Sequence, residues 1–180
     1  MKKLNKKGFT LIELLAVIVI LAVLSLIAIP AVRSTINKAR YNTFITQGKT
    51  YIEGAQNIIA ASTDYDESNA YCINISSIKL DRGQQKSPFG NKTLNGYVIV
   101  TAATSLADPT WTAYIDDGTH KQTITPTTEK YNKNEDGTKT TSGSRIAYSA
   151  CPATIGEGAS AVTLTQLDGD GNAVTTTNQG

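Results

Sequence analysis

One histidine, two cysteines and one tryptophan in 180 residues leave little material for a histidine-dependent active site or a multi-ligand metal centre. No cofactor is expected. Net charge is small as well, with Lys+Arg 17 against Asp+Glu 15 giving +2, and that excess is local. Lys2, Lys3, Lys6 and Lys7 supply four of the basic residues, and from Phe9 onward thirteen basic residues face fifteen acidic ones, a net −2. A basic nucleic-acid-binding body is thereby excluded, and no specific nucleic-acid partner is expected. The length suits one domain of ordinary size, or a small domain with an appendage, and not two full domains. No repeat of solenoid period is present.

The chain does have a long apolar run. Residues 9–32 contain a single charge, Glu13, and only Thr10, Ser25 and Pro30 interrupt them otherwise. As a helix this run would extend about 36 Å at ~1.5 Å per residue, against a hydrocarbon core of ~30 Å. The lysines before it favour a cytoplasmic N-terminus, opposed by Arg33, Lys38 and Arg40 on the far side. The body beyond residue 62 would then lie outside the cytoplasm, where Cys72 and Cys151 could close one bridge; two unrelated buried thiols are the alternative.

Apolar side chains at Ile36, Ala39, Phe44, Ile45, Ile52, Ala55, Ile58 and Ile59 recur at helical spacing, so residues 33–61 read as an amphipathic helix. Nothing separates it from the apolar run. The sequence therefore predicts one helix over about 9–61, bent at Pro30, where a backbone donor is missing. Gly48 and Gly54 weaken its second half unless close packing uses them. The polar stretch 62–69 ends it. Residues 71–80 read as a short helix or turn followed by loop. From Gly96 the pattern becomes period-two and β-branched (GYVIVTAAT, WTAYIDD, THKQTIT), with Asp117-Gly118 as a hairpin signal, which predicts an antiparallel meander. Further hairpins are expected around 135–137 and 168–172. The Thr-, Gly- and Asn-rich C-terminal stretch suits edge strands, pairing at an assembly surface, or fraying.

The informative motif is KKGFTLIE. No A-x-A site marks a conventional signal peptide. A plain membrane anchor leaves Glu13 unexplained, since a carboxylate within a spanning segment is costly and calls for a partner. Thr10-Leu11-Ile12-Glu13 fits a capping box. The other reading has the chain cut after Gly8, so that Glu13 of one copy neutralises the new Phe9 amine of its neighbour and sets the register between apolar helices.

These residues resemble the type IV pilins and their relatives. Gly8 and Phe9 at the processing site, Thr10 and Glu13 after it, the run GFTLIELLAVIVILAVLSLIAIPAV and Pro30 within it carry the resemblance. The stretch KSPFGNKTLNGYVIV looks like the entry to the first sheet strand in pilins of Gram-positive bacteria. The resemblance implies an α+β type IV pilin fold: a leader at 1–8, a membrane or filament-core half-helix at 9–32, an amphipathic half at 33–61, and an antiparallel β-sheet head at 62–180. It also implies cleavage after Gly8 and N-methylation of Phe9 by a prepilin peptidase, storage as a single-pass protein of the cytoplasmic membrane, and extraction by pilus assembly machinery. Assembly through Phe9, Glu13 and Pro30 would give a homopolymeric cell-surface filament for adhesion, motility or DNA uptake, with no catalysis by the protein itself. The alternatives are a pseudopilin of a type II-like secretion system and a signal-anchored extracellular binding protein that never polymerises.

Weaker motifs have bland readings. Gly156-Glu157-Gly158 with Ala161 fits G-x-G-x-x-A without a strand-to-helix context and reads as loop. Asp168, Asp170 and Asn172 have the spacing of a Ca²⁺ loop but lack its Gly at position six and Glu at position twelve. His120 reads as a surface histidine in a strand, without an orienting group that would make it a base for a cysteine. Trp111, Tyr97 and Tyr114 read as sheet packing, with an aromatic binding patch as the alternative.

Overall fold

The computed structural model describes residues 8–80, 86–102, 108–128, 150–156 and 161–174. The chain divides into two compact units, Met1–Ala39 and Arg40–Gly180. Helix α1 (Leu11–Ala61) contributes to both and carries Pro30 inside it. The expected long bent N-terminal helix is present with a sheet that is antiparallel except for one parallel pair of strands, so the chain is α+β.

In the second unit, α1 lays Phe44, Ile45, Tyr51, Ile52, Ala55 and Ile59 into the core. The predicted stripe is therefore borne out from Phe44 onward, with Ile58 half-buried at its margin. Ile36 and Ala39 belong to the first unit and are exposed. Both helix glycines are used. A Cβ on Gly48 would overlap the side chain of Ile124, and one on Gly54 would overlap that of Ile78. Their cost in helix propensity, about 1 kcal/mol each, is offset by this close approach.

The sheet contains β1 (Ala70–Asn74), β2 (Asn95–Val100), β3 (Trp111–Asp116), β4 (Lys121–Ile124), β5 (Thr154–Ile155) and β6 (Val162–Leu167), in the order β4-β3-β2-β1-β6-β5. The meander β2-β3-β4 is antiparallel as predicted. Its second turn is the Asp117-Gly118 hairpin, with Gly118 at φ 82° and the Asp117 amide donating to the His120 carbonyl at 3.1 Å.

Two expectations are corrected. Residues 70–74 are neither helix nor turn but a central strand, paired antiparallel to β2 and parallel to β6. Tyr71 and Ile73 face the helix side, while Ala70 and Cys72 join Tyr97, Ile99 and Leu164 in a second apolar layer on the opposite face. A strand covered on both faces has no apolar/polar alternation to read. The C-terminal strand β6 is internal rather than an edge, with Leu164 and Leu167 buried on opposite faces. Two well-placed leucines suffice where the neighbouring strands supply the rest. The 168–172 turn forms, and Leu167 bridges to Ala173 beyond it. The hairpin expected at 135–137 lies outside the described residues.

Candidate processing and assembly site

Gly8 and Phe9 precede the helix and are exposed, Phe9 at 87%. Thr10 is the residue before the first helical turn, and Glu13 lies within that turn. The Thr10 amide donates to Glu13 Oε2 at 2.8 Å, and the Glu13 amide donates to Thr10 Oγ1 at 3.3 Å. This reciprocal pair is a capping box, and it satisfies two of the amides that a helix start leaves unpartnered. A third bond, from Thr10 Oγ1 to the same Oε2 at 2.8 Å, adds to it.

Beyond Glu13 the large apolar side chains of the run are exposed all round the helix, from Leu14 and Leu15 through Val19, Leu26 and Val32. A helix that is apolar on every face requires lipid or other apolar helices around it. It is long and apolar enough to cross a membrane. Pro30 and Glu13 are both on this helix, and the sequence-predicted processing and assembly residues thus fall within one stretch of the first unit.

The remaining singled-out residues lie in the second unit and do not build a reaction centre. Cys72 and Cys151 are joined as a disulfide with Cα atoms 5.8 Å apart. It fastens the 150–156 segment to β1, where the Cys151 amide also donates to Asn74 Oδ1 at 3.0 Å. The cysteines are therefore not available to His120. His120 itself is half-buried in the turn before β4, a correction to the surface strand position expected for it. It stacks on Phe89 at 3.9 Å between ring centroids, and its Nδ1 lies 3.3 Å from both Asp117 carboxylate oxygens. The orienting group that the sequence did not reveal is thus Asp117.

Asp117 also accepts hydrogen bonds from Ser87 Oγ and from the amides of Thr119 and His120. Burial pushes its carboxyl up, but the bonds from Ser87, from the backbone of His120 and Thr119, and from the His120 ring outweigh burial and hold it below the usual carboxylate range. The Ser87 hydroxyl faces this carboxylate, not the imidazole, so serine, aspartate and histidine lack the order that activates a nucleophile. The cluster is a structural clasp tying the 86–93 loop to the β3-β4 hairpin.

Trp111 packs at the margin of the helix-side core, whereas Tyr97 and Tyr114 pair at 5.1 Å in the opposite layer. The three are not one patch. Asp168 Oδ1 is occupied by the amides of Asp170 and Asn172, each at 2.9 Å, and Asp170 pairs with Lys79 at 3.0 Å. The Asp168 carboxyl is held low chiefly by the Asn172 amide, then by that of Asp170. These residues serve as turn formers. Among the described residues no group of three or more His, Cys, Asp or Glu converges to hold a metal ion. Gly156 adopts φ 89° in a bend after β5; residues 157–160 of the G-x-G-x-x-A match lie outside the described residues.

Residues 3–29 match the family described as the prokaryotic N-terminal methylation motif. No curated protein and no solved structure matches the chain. The family match spans the Lys-rich start from residue 3, the Gly8-Phe9 junction, Glu13 and most of the apolar run, and it carries no information on the source organism. The motif entails processing by a prepilin peptidase and attachment to a membrane through the apolar helix. With this signal at the head of a long helix followed by a mostly antiparallel sheet, the chain is similar to the type IV pilin-like prepilins in its N-terminal motif and its α+β fold.

Proposed function

We propose that the protein is a structural subunit of a type IV pilus. It is stored as a single-pass protein in the cytoplasmic membrane, cut after Gly8, methylated on the Phe9 amine, and polymerised through its N-terminal helices into an extracellular filament. Adhesion, surface motility and DNA uptake are the tasks such a filament serves. Its partners are further copies of itself, the prepilin peptidase and the membrane-embedded assembly machinery. The protein acts by packing and not by catalysis.

The observation that carries this reading is the position of Glu13. It is the single charge within the apolar run 9–32, one turn after the expected processing site. In a bundle of such helices a carboxylate is tolerated only beside a cation, and the cation that processing creates is the Phe9 amine of a neighbour. Pairing one with the other fixes the axial register of adjacent copies. Pro30, which lacks an amide donor, marks where the helix can depart from regular hydrogen bonding as the shaft forms.

The test is intact mass and N-terminal sequence of protein sheared from the cell surface. The expected product begins at methylated Phe9 and is recovered in high-molecular-weight fibres, and Glu13→Ala abolishes the fibres while leaving membrane insertion intact. Protein still beginning at Met1, or cut beyond Val32, would refute the proposal. Processed protein that polymerises without reaching the cell surface would instead identify a pseudopilin.

A further inference from the structure

Two stretches of the second unit carry the Asn-x-Ser/Thr pattern that marks an asparagine as an acceptor of N-linked sugar, Asn74-Ile75-Ser76 and Asn91-Lys92-Thr93. The pattern does not choose between them, but the fold does. Asn74 is half-buried at the end of β1, where it pairs with Tyr97. Its Oδ1 accepts the Cys151 amide at 3.0 Å beside the disulfide, and Ile75 after it is 1% exposed. An enzyme could take hold of that carboxamide only by pulling β1 away from its neighbours.

Asn91 is placed in the opposite way. It is exposed at the tip of the 86–93 loop, and Lys92 and Thr93 after it are exposed as well. A Cβ on the preceding Gly90 would meet nothing within 4 Å, so the space around the tip is open. Among the described residues the Asn91 carboxamide makes no hydrogen bond, while its backbone amide donates to the Ser87 carbonyl at 3.1 Å. Asn91 has φ 57°, a left-handed conformation that asparagine tolerates better than most residues. The loop beneath it is held firmly: the Ser87 amide donates to the Lys92 carbonyl at 2.8 Å, and Lys92 Nζ donates to Thr119 Oγ1 at 2.7 Å. The tip can therefore carry a bulky polar group without disturbing the core.

We propose that Asn91 is a glycosylation site: it carries an N-linked oligosaccharide taken from a polyprenyl-pyrophosphate-linked donor, and Asn74 stays bare. This inference rests on the head lying outside the cytoplasm, as the filament reading above requires. In the transfer, Asn91 Nδ2 forms a bond to C1 of the first sugar while the bond from C1 to the pyrophosphate oxygen breaks. The electron pair leaves with the lipid pyrophosphate, and the carboxamide nitrogen gives up one proton to a base of the transferase or to water. The chain contributes the acceptor alone. The sugar adds bulk and hydration to an exposed turn of the head.

The experiment is peptide mapping by mass spectrometry of the full chain, taken from the membranes and the sheared surface fraction of the cells that make it. Asn91→Asp, Thr93→Ala, Thr93→Ser and Asn74→Asp variants are mapped beside it, and protease is applied to the outer face of the cytoplasmic membrane to locate the head. Aspartate tolerates the left-handed conformation and offers no amide nitrogen, so Asn91→Asp removes the acceptor without straining the turn. The Asn91 peptide of the unaltered chain is expected to be heavier by the mass of an oligosaccharide. Asn91→Asp and Thr93→Ala should lose that mass, and Thr93→Ser and Asn74→Asp should keep it. A bare Asn91 in a head that the protease cuts would overturn the proposal and leave the filament reading intact. Sugar on Asn74, or on a serine or threonine with Asn91 bare, would overturn it as well. A bare Asn91 in a head that the protease cannot reach would remove both this proposal and the orientation on which the filament reading depends.

Discussion

Loss of the Cys72–Cys151 bridge should be the most damaging single covalent change in the head. The bridge spans a sequence separation of 79. Closing a loop of that size removes chain entropy from the unfolded state equivalent to about 4.5 kcal/mol at 25 °C. For a unit running over Arg40–Gly180, the unfolding entropy is roughly 0.3 kcal/mol per kelvin, so the expected fall in Tm is about 15 °C. Cys151→Ala is the cleaner variant because Cys151 is half-buried, and the thiol left on fully buried Cys72 behaves as a small apolar side chain. The assay is thermal unfolding of the whole chain in detergent, followed by near-ultraviolet circular dichroism. Every tyrosine and the tryptophan lie at or beyond Tyr41, so this signal reports the head and is blind to the apolar helix. Reductant added to the unaltered protein should lower its Tm toward that of the variant and leave the variant unchanged. A shift under about 3 °C, or free thiols in the oxidised protein, would refute the loop-closure argument.

Backbone geometry separates two glycines that share φ 149°. At Gly90 a Cβ meets open space, whereas at Gly96 it would run into the carbonyl of Tyr114 on the paired strand; Gly90→Ala should cost about 1–2 kcal/mol and Gly96→Ala about 3–4 kcal/mol or prevent folding, read as shifts in denaturant midpoint. Gly48→Ala adds helix propensity but crowds Ile124, whose Cβ and Cγ1 lie 3.2 Å from the new methyl. It should destabilise by about 1–2 kcal/mol, and Ile124→Val should recover part of that loss in the double variant; additivity of the two changes would count against direct contact. Asp117 gives the head an acid limb: with its folded pKa held below the unfolded value, its contribution is present above the unfolded pKa near 3.8 and is lost as pH falls through the lower folded value. Asp117→Asn should therefore weaken the head at neutral pH and flatten its stability profile below about pH 4, and an unchanged acid limb would assign that limb to other carboxylates.

How much of this was legible in the residues differs from element to element. The meander β2-β3-β4 could be read because local alternation and the Asp117-Gly118 turn both specify it. The same is true of α1 from Phe44 onward, where one stripe meets one core. β1 was not legible: AYCIN is buried on two sides, and an apolar run of four residues, Ala70 to Ile73, looks alike as strand or turn. The place of β6 was not legible either, since its parallel pairing with β1 is set by partners about ninety positions away in sequence. The Ser87-Asp117-His120 clasp brings Ser87 to a turn thirty positions further along the chain and has no sequence signal beyond the turn residue Asp117.

The sequence alone therefore determined the processing motif, the membrane-length helix and the exceptional position of Glu13, because each depends on residues adjacent in the chain and on solvation costs that a linear pattern expresses directly. Only the tertiary structure decided which strand is central, that Cys72 meets Cys151, and what occupies His120. Those outcomes depend on long-range packing on two faces of one sheet, where the energy comes from neighbours that the order of residues does not place side by side.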